Sequence, residues 1–453
     1  MYSYTTPPQS KLADLLGGNV SRLLGDKSYD KRKAAGQEIE GAVRAALEQM
    51  TAAQEQLKDL KMRQAQLGEK HPDHQPLEDQ ILQVWRVVST QERCIRDIIS
   101  ALHEDFLLHA LPNHRKGGLI AFASVAIALE RSELERFLPQ LIPPLLSAFS
   151  DPEPRVRYYA CEALYNLLKV SWDLSLKFLN DIFDGVCKLY GDVDHDVRAG
   201  ILFVDRLLKE IFVSAVNWGG KESFLLLLVK RCRVKNPFIK LLALSWIALL
   251  DSVPDIDMLQ YLHLFIESLF EMLADSNRDI RHAADACVAS LLEEVREGAH
   301  DRSDVRDLAA VVQVVLKSLR NPDSFCRLTA LVWLQQLLSL ALQPVAAPPS
   351  PTSSHGGELR EEAEKVNTPG DGETKHEHQA ELERRVQQQY EKRRQWQMDM
   401  QKQLQPLFAH IVDGVLQCAA DREEGETRRK EETKRTLFCL LSGTLLLGQG
   451  APY

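Results

Sequence analysis

The sequence predicts an all-α fold made of stacked helix pairs, and three regularities along the chain support this prediction. A basic residue recurs at intervals of 41, 41, 42, 41 and 46 residues, at Lys116, Arg157, Arg198, Lys240, Arg281 and Arg327. The preceding residue is usually apolar, and the residue three positions later is usually alanine. Six positions before the basic residue lies an acid or amide in four cases, at Asp151, Asp192, Asp275 and Asn321. A period of roughly 40–47 residues is typical of HEAT and armadillo repeats, so we predict a helical-repeat solenoid.

Each regularity has a physical role in a helix–turn–helix unit. The Asp or Asn can accept hydrogen bonds from the free backbone N–H groups where the second helix begins. Prolines at this turn end the first helix and suit the start of the second; they are Pro152, Pro154, Pro237 and Pro322. The alanine lets the two helices approach closely. Because one pair cannot bury its own apolar face, neighbouring pairs must stack.

The repeat divides the chain into four regions. Residues 10–78 read as a first helix pair, in which Arg32 fits the frame, followed by a polar helical insertion. Residues 79–342 hold the regular array, and residues 343–405 form a Pro/Ser-rich and charged insertion. Residues 406–453 resume the helical pattern as one further pair, with its second helix near 426–447.

The insertion is predicted to be a disordered linker followed by an extended, solvated helix over 379–405. Its Pro, Ser and charged residues cannot build a core. We therefore expect its removal to leave the thermal stability nearly unchanged.

Composition excludes several classes of function. The formal net charge is −9, from 55 basic and 64 acidic residues, which disfavours nucleic acid as a ligand because phosphate binding needs a clustered basic face. The eight cysteines are scattered without a C-x-x-C motif, as expected of reduced structural thiols in the cytoplasm. The start of the chain has no secretory-signal pattern, and the longest apolar runs are too short to span a bilayer.

No catalytic motif emerges from the sequence, so we predict a protein that is not an enzyme and needs no cofactor or metal. A Gly-rich phosphate loop, a nucleophile elbow and paired metal-ligand spacings are all missing from the sequence. The His-Glu dipeptides at 103–104 and 376–377 are similar to the iron ligands of deoxyhypusine hydroxylases, a class of HEAT enzymes. They do not occupy equivalent repeat positions, which leaves a metalloenzyme as the weaker alternative.

Two departures from the repeat pattern mark a candidate binding segment. When the position seven residues after the basic residue is compared between repeats, Asp205 is the only charged residue found there. It either forms an ion pair with Arg206, Lys209 or Arg198, or faces a partner together with Arg206, since a lone buried charge is costly. Phe203 lies where other repeats carry Glu, Ser or Ala. We therefore predict an exposed aromatic anchor, a type favoured at interfaces.

Two further patches are predicted to contact a partner. They surround the basic positions of two repeats: Arg115, Lys116, Gly117 and Gly118 in one, and Arg157, Tyr158 and Tyr159 in the other. Each glycine costs about 1 kcal/mol of helix stability relative to alanine. Either close backbone packing or a docked partner must compensate, and a basic helix start can also bind an anion.

Several blocks of this sequence resemble one known family of HEAT scaffolds, the Vac14 family. The blocks keep the order and spacing of that family over about residues 20–342, and RYYACEALYN is the most specific of them. The blocks are YDKRKAA (29–35), EIE (38–40), HRKGGLIAFASVAIAL (114–129), RVRYYACEALYNLLKV (155–170), IFDGVCKLY (182–190), DRLLKEI (205–211), SWIALLDSVPDID (245–257), DIRHAADACV (279–288) and RLTALVWLQQLL (327–338).

The resemblance implies a non-catalytic scaffold at the vacuole or late endosome membrane. Members of the family organise the PIKfyve-type lipid kinase that makes phosphatidylinositol 3,5-bisphosphate, together with a Sac-type phosphatase. Their kinase contacts lie in the N-terminal repeats, which here correspond to about residues 100–211. The resemblance therefore implies a cytoplasmic protein that associates peripherally with vacuole, late endosome or lysosome membranes through its partners.

The chain departs from the family pattern by its insertions at 51–78 and 343–405 and by ending at Tyr453. Family members continue through a C-terminal helical region that binds the phosphatase and mediates self-association, so the resemblance does not assign those two functions to this chain. A HEAT adaptor for other protein cargo, similar to a karyopherin or a phosphatase scaffold, would show the same periodicity and remains the alternative.

Overall fold

The structure, a computed structural model, describes most of the chain. The described residues are 10–66, 74–215, 219–254, 256–301, 307–342 and 384–420, the last without 385, 386, 389, 393 and 396. They belong to two compact units, residues 1–224 and residues 225–453. The predicted linker over 343–377, the first residues of the predicted helix over 379–405 and the predicted helix at 426–447 lie outside the described residues.

The described residues of the first unit are mostly helical. The helices are α1 (Lys11–Leu16), α2 (Gly18–Leu24), α3 (Tyr29–Gln66), α4 (His74–Ala101), a π-helical segment (Leu102–Leu107), α5 (Pro112–Leu134), α6 (Leu138–Ala148), α7 (Pro154–Ser171), a 3₁₀ segment (Trp172–Phe178), α8 (Leu179–Tyr190) and α9 (His195–Ser214). Helix α10 (Lys221–Cys232) begins at the end of this unit.

The second unit continues the same alternation of helices. After α10 follow α11 (Pro237–Asp251), a 3₁₀ segment (Met258–Tyr261), α12 (Leu262–Leu273), α13 (Arg278–Asp301), α14 (Leu308–Ser318), α15 (Ser324–Leu342), a 3₁₀ segment (Gln405–Leu407) and α16 (Phe408–Ala420).

At α7 and α9 the second helix begins where the sequence predicts, and the turn acid Asp192 accepts a hydrogen bond from the backbone N–H of Asp194. Asp194 accepts hydrogen bonds from the backbone N–H groups of Asp196 and Val197 at the start of α9. Pro154 occupies the first turn of α7, where the absence of an N–H costs nothing. These local signals fix where each second helix starts, and hence where its basic residue stands.

Stacking buries the apolar side of each repeat. In the first unit the second helices α3, α5, α7 and α9 pack side by side, and in the second unit α11, α13 and α15 do so. Side chains such as Leu164, Val204 and Trp246 are almost fully buried. The predicted all-α helical-repeat solenoid is therefore confirmed as the fold class.

The structure corrects the basic position of one repeat from Lys116 to Arg115. The Nη1 atom of Arg115 donates to the carbonyl oxygens of His109 and Ala110, as Arg157 does to those of Asp151 and Pro152. Lys116 lies half-buried beside this row, where burial and the positive charge of Arg32 lower its pKa. The sequence alone does not distinguish the two adjacent basic residues. The contacts of Arg115 with the turn before α5 identify it as the basic residue of the repeat.

The structure also corrects the predicted solvated helix at the end of the insertion. The helical residues 397–404 bury Met400 and Leu404, and the side-chain amides of Gln397 and Gln401 donate to the carbonyl oxygen of Ala341 at the end of α15. The last four backbone carbonyl groups of a helix have no hydrogen-bond partner within that helix. The side-chain amides of a glutamine-rich segment can therefore bind to the end of α15. The apolar residues of this segment were too few for the pattern to stand out.

We expect Met400→Ala to destabilise the second unit by about 2 kcal/mol, because the substitution removes a buried side chain and leaves a cavity. Met398, on the exposed side of the same turn, provides the control, and Met398→Ala should change stability by less than about 0.5 kcal/mol. Urea denaturation of both variants measures the difference. Equal stabilities would show that 397–404 does not pack on α15.

Candidate partner-binding surface

A row of arginine–carboxylate pairs ties consecutive repeats together at their turns. Arg115 donates from Nε and Nη2 to the two carboxylate oxygens of Asp151, at 2.6 and 2.9 Å. One repeat later, Arg157 holds Asp192 in the same way, at 2.7 and 2.8 Å. Each arginine thus binds its own turn through Nη1 and the next turn through the opposite edge. Arg115 and Arg157 therefore hold consecutive turns together, and their contact with a partner stays a prediction.

The carboxylate of Asp192 in this row is held in its charged form. Burial alone would raise the pKa of Asp192, but hydrogen bonds from Arg157 and from the backbone N–H of Asp194 hold that pKa below its usual range. The same balance lowers the pKa of Asp275, whose carboxylate accepts from Lys240 at 2.5 Å. Charge-assisted pairs of both kinds are stronger than neutral hydrogen bonds, and the two-pronged arginine pairs also fix the geometry.

The tyrosines beside Arg157 pack between helices. The Tyr159 hydroxyl accepts a hydrogen bond from Nη2 of Arg32 at 3.2 Å, and the Tyr159 ring lies 6.4 Å from that of Tyr29. Tyr158 lies against Gly200 of α9. Both tyrosines are half-buried, so most of the patch predicted at Arg157 joins α7 to α3 and α9.

Gly117 and Gly118 are buried, which corrects their predicted contact with a partner. A Cβ atom on Gly117 would lie 1.9 Å from the carbonyl oxygen of Leu24, and one on Gly118 would lie 2.9 Å from Phe106 and Leu107. With Arg115 as the basic residue, Gly118 takes the place of the alanine found three positions later in other repeats. Close backbone packing, the first of the two predicted explanations, accounts for both glycines.

Asp205 is also buried, at 5% exposure, so the structure favours an ion pair over a site facing a partner. Its carboxylate accepts from Nζ of Lys209 at 2.8 Å, one turn along α9. Of the three predicted cations, Lys209 is the one that forms an ion pair with Asp205. The charge at this position is therefore part of the packing of α9.

Phe203 lies at the surface, as the sequence predicts, and it is not isolated. Its side chain is 60% exposed and that of Leu202 is 50% exposed, and Val213 is exposed three turns further along α9. Arg206, also exposed, lies one turn after Leu202. Residues 202, 203, 206 and 213 together form what we call the α9 face. Sequence reasoning missed Leu202 and Val213 because apolar residues at helical spacing usually belong to the core.

The part of the chain that the structure describes has two further properties relevant to function. No group of three or more His, Cys, Asp or Glu side chains among those residues is placed to hold a metal ion. Within the same residues, no helix combines the length and the apolar character needed to cross a bilayer. Burial raises the pKa of the Cys161 and Cys232 thiols to about 12, which keeps them protonated and unreactive.

Comparison with known proteins assigns a family to the same helices. The profile described as "Vacuolar 14 Fab1-binding region" matches residues 113–210, from the start of α5 to most of α9. The α9 face lies in this match except for Val213, which lies three residues beyond its end.

Curated relatives extend the similarity beyond that region. The "Protein VAC14 homolog" of Arabidopsis thaliana is 36% identical over 321 residues, which cover 71% of this chain and 37% of the relative. The "Vacuole morphology and inheritance protein 14" of Saccharomyces cerevisiae is 29% identical over 314 residues, which cover 61% of this chain and 31% of the relative. The chain thus spans about a third of the length of these relatives.

Among solved structures, a designed armadillo repeat protein aligns with 60% of this chain and 98% of its own, at 14% identity and a TM-score of 0.28. A score this low carries no argument, so the fold class rests on the helix pairs described above.

Proposed function

The chain belongs to the Vac14 family, and on that premise we propose that it is a non-catalytic scaffold for a Fab1-type lipid kinase. The kinase binds to the repeats of the first unit, and this assembly raises kinase output. Association with the vacuole or late endosome membrane is peripheral and depends on the bound kinase.

The observation that supports this proposal most directly is the exposed α9 face inside the matched region. Leu202 and Phe203 expose large apolar side chains at adjacent positions, although the rest of the helix is anchored by Val204, Leu207 and Leu208 in the core. Exposed aromatic residues on a rigid support are typical of the centres of protein interfaces. The helix therefore presents an anchor without needing to rearrange.

The test is capture of a purified Fab1-type kinase by the Phe203→Glu variant. We expect affinity to fall at least about thirtyfold, because burying a charge at the centre of an apolar contact is costly. The thermal melt should stay within a degree or two of wild type, since an exposed position tolerates a charge. In a kinase assay with the captured complex, wild-type chain should raise turnover and the variant should not.

Phe238→Glu is the matched control, because Phe238 is similarly exposed on α11 but lies outside the matched region. It should capture the kinase like wild type. Unchanged capture by Phe203→Glu would reject the α9 face, and a lowered melt together with lost capture would mean that Phe203 supports the fold. Failure of the wild-type chain to capture the kinase would favour an adaptor for other cargo.

A further inference from the structure

The row of arginine–carboxylate pairs contains an unoccupied position at Arg198. Arg115 and Arg157 use Nη1 to bind two carbonyl oxygens of their own turn and use the Nε–Nη2 edge to bind an aspartate. Arg198 binds its own turn in the same way, through Nη1 to the carbonyl oxygens of Asp192 and Val193. Its guanidinium is therefore fixed in the same orientation as those of its two neighbours.

The Nε–Nη2 edge of Arg198 has no carboxylate bound to it among the described residues. Asp151 lies 36 residues after Arg115, and Asp192 lies 35 residues after Arg157. The corresponding positions after Arg198 are Arg233 and Val234, neither of which can accept a hydrogen bond from an arginine through its side chain. Arg198 is half-buried, and Asp192 supplies charge compensation nearby while its two oxygens stay on Arg157.

The surroundings of this edge combine positive charge with apolar surface. Leu202 follows Arg198 by one helical turn, and Arg206 follows Leu202 by another, so the three share one side of α9. Arg206 is exposed and forms no ion pair within the described part of the chain. Phe203 lies beside this row at 60% exposure. The α9 face thus contains one cation, Arg206, and is bordered by a second, Arg198, and among the described residues neither has a bound carboxylate.

We propose that Arg198 binds the carboxylate of an Asp or Glu side chain of the partner, in an acidic segment whose apolar neighbours pack on Leu202 and Phe203. The bound acid continues the row of pairs with the geometry that Asp151 and Asp192 show in the preceding repeats. An arginine edge fixed by its own turn loses little freedom on binding, which favours a two-pronged contact. This inference rests on the proposed function, since it names the chemistry of the kinase segment that the α9 face selects.

The occupant is a protein carboxylate rather than a lipid phosphate. In this chain the equivalent edges hold aspartates in both preceding repeats, and exposed apolar side chains adjoin the free edge. The overall charge of −9 also opposes approach to an anionic membrane surface. An acidic, partly apolar protein segment matches both the arginine edge and the apolar side chains beside it.

The experiment compares Arg198→Gln with Arg281→Gln in capture of the purified Fab1-type kinase. Arg281 also binds two carbonyl oxygens of its own turn, those of Asp275 and Ser276, and it lies outside the matched region. Both variants lose the same turn contacts, so their thermal melts should fall equally. We expect Arg198→Gln to weaken capture about tenfold and to make it less sensitive to salt. Arg281→Gln should capture like wild type, and Arg198→Lys should recover only part of the loss, because lysine cannot bind a carboxylate in two prongs.

Equal capture by Arg198→Gln and Arg281→Gln would overturn the inference. If Phe203→Glu still impairs capture in that case, the α9 face stands and only the acidic contact is rejected; if it does not, the proposed function fails as well. A second measurement is flotation of the chain with phosphatidylcholine vesicles, with and without phosphatidylserine. Loss of flotation in Arg198→Gln, with kinase capture intact, would assign Arg198 to lipid phosphate and also overturn the inference.

Discussion

Gly117→Ala is expected to lower the free energy of unfolding of the first unit by about 3 kcal/mol or more. The added methyl would lie 1.9 Å from the carbonyl oxygen of Leu24, a backbone atom that cannot move by a side-chain rotation. Helix α5 would have to shift away from the end of α2, which would disturb the packing of α5 against α3. Urea denaturation followed by circular dichroism measures the change.

Gly41→Ala is the matched control, because Gly41 is also helical but has open space where a Cβ would be placed. That substitution should stabilise the unit by about 0.5–1 kcal/mol, since alanine favours the helix. A Gly117→Ala variant as stable as wild type would contradict the close approach of α2 to α5. That result would also favour the prediction that residues 115–118 contact a partner.

Asp192→Ala is expected to destabilise the first unit by about 3 kcal/mol, because it leaves Arg157 with no carboxylate in a mostly buried position. The side chains of Arg157 and Asp192 are 12% and 8% exposed, so water replaces the lost contact poorly. Asp196, whose carboxylate pairs with Arg155 at 3.2 Å in an exposed position, is the control. Asp196→Ala should cost less than about 1 kcal/mol, and similar losses for both variants would mean that the pairs between turns contribute little.

The same pair predicts how stability depends on pH. The pKa of Asp192 is lowered in the folded chain, while an unfolded aspartate titrates near about 3.9. The contribution is therefore complete above about pH 4 and disappears as the pH falls through the lower folded value. The stability difference between wild type and Asp192→Asn should be constant from neutral pH down to about pH 4 and should shrink below it. A difference that vanished already at pH 6 would point to another group.

Much of the fold could be predicted because its information is local. The intervals between basic residues, the prolines of the turns and the acids before α7 and α9 all lie within one repeat, and the structure places them where the sequence indicates. The exposure of Phe203 followed from comparing equivalent positions in successive repeats. The edge of Arg198 without a bound carboxylate left a signal of the same kind, because Val234 stands where four other repeats carry aspartate. The signal can be interpreted only once it is known that the acid binds the arginine of the preceding repeat.

The predictions that failed concern contacts between distant segments. Choosing Lys116 over Arg115 moves a side chain by about 100° around the helix axis, and both residues fit the spacing. In the sequence, Gly117 and Gly118 fit either a surface that contacts a partner or a closely packed contact between helices. The positions of Leu24 and Phe106 beside them decide for close packing. The segment 397–404 looked solvated because the hydrogen bonds of Gln397 and Gln401 go to α15, more than 50 residues earlier in the chain.

The sequence by itself therefore determined the helical-repeat fold class, the starts of the second helices and the exposed aromatic residue of α9. Tertiary structure decided which cation meets which carboxylate, which glycines are buried, and that the Nε–Nη2 edge of Arg198 has no bound carboxylate among the described residues. The physical reason is that helix periodicity and turn chemistry act within a few residues of chain. Ion pairing and close packing depend instead on the register between neighbouring repeats, and a shift of one residue changes that register while leaving the sequence pattern almost the same.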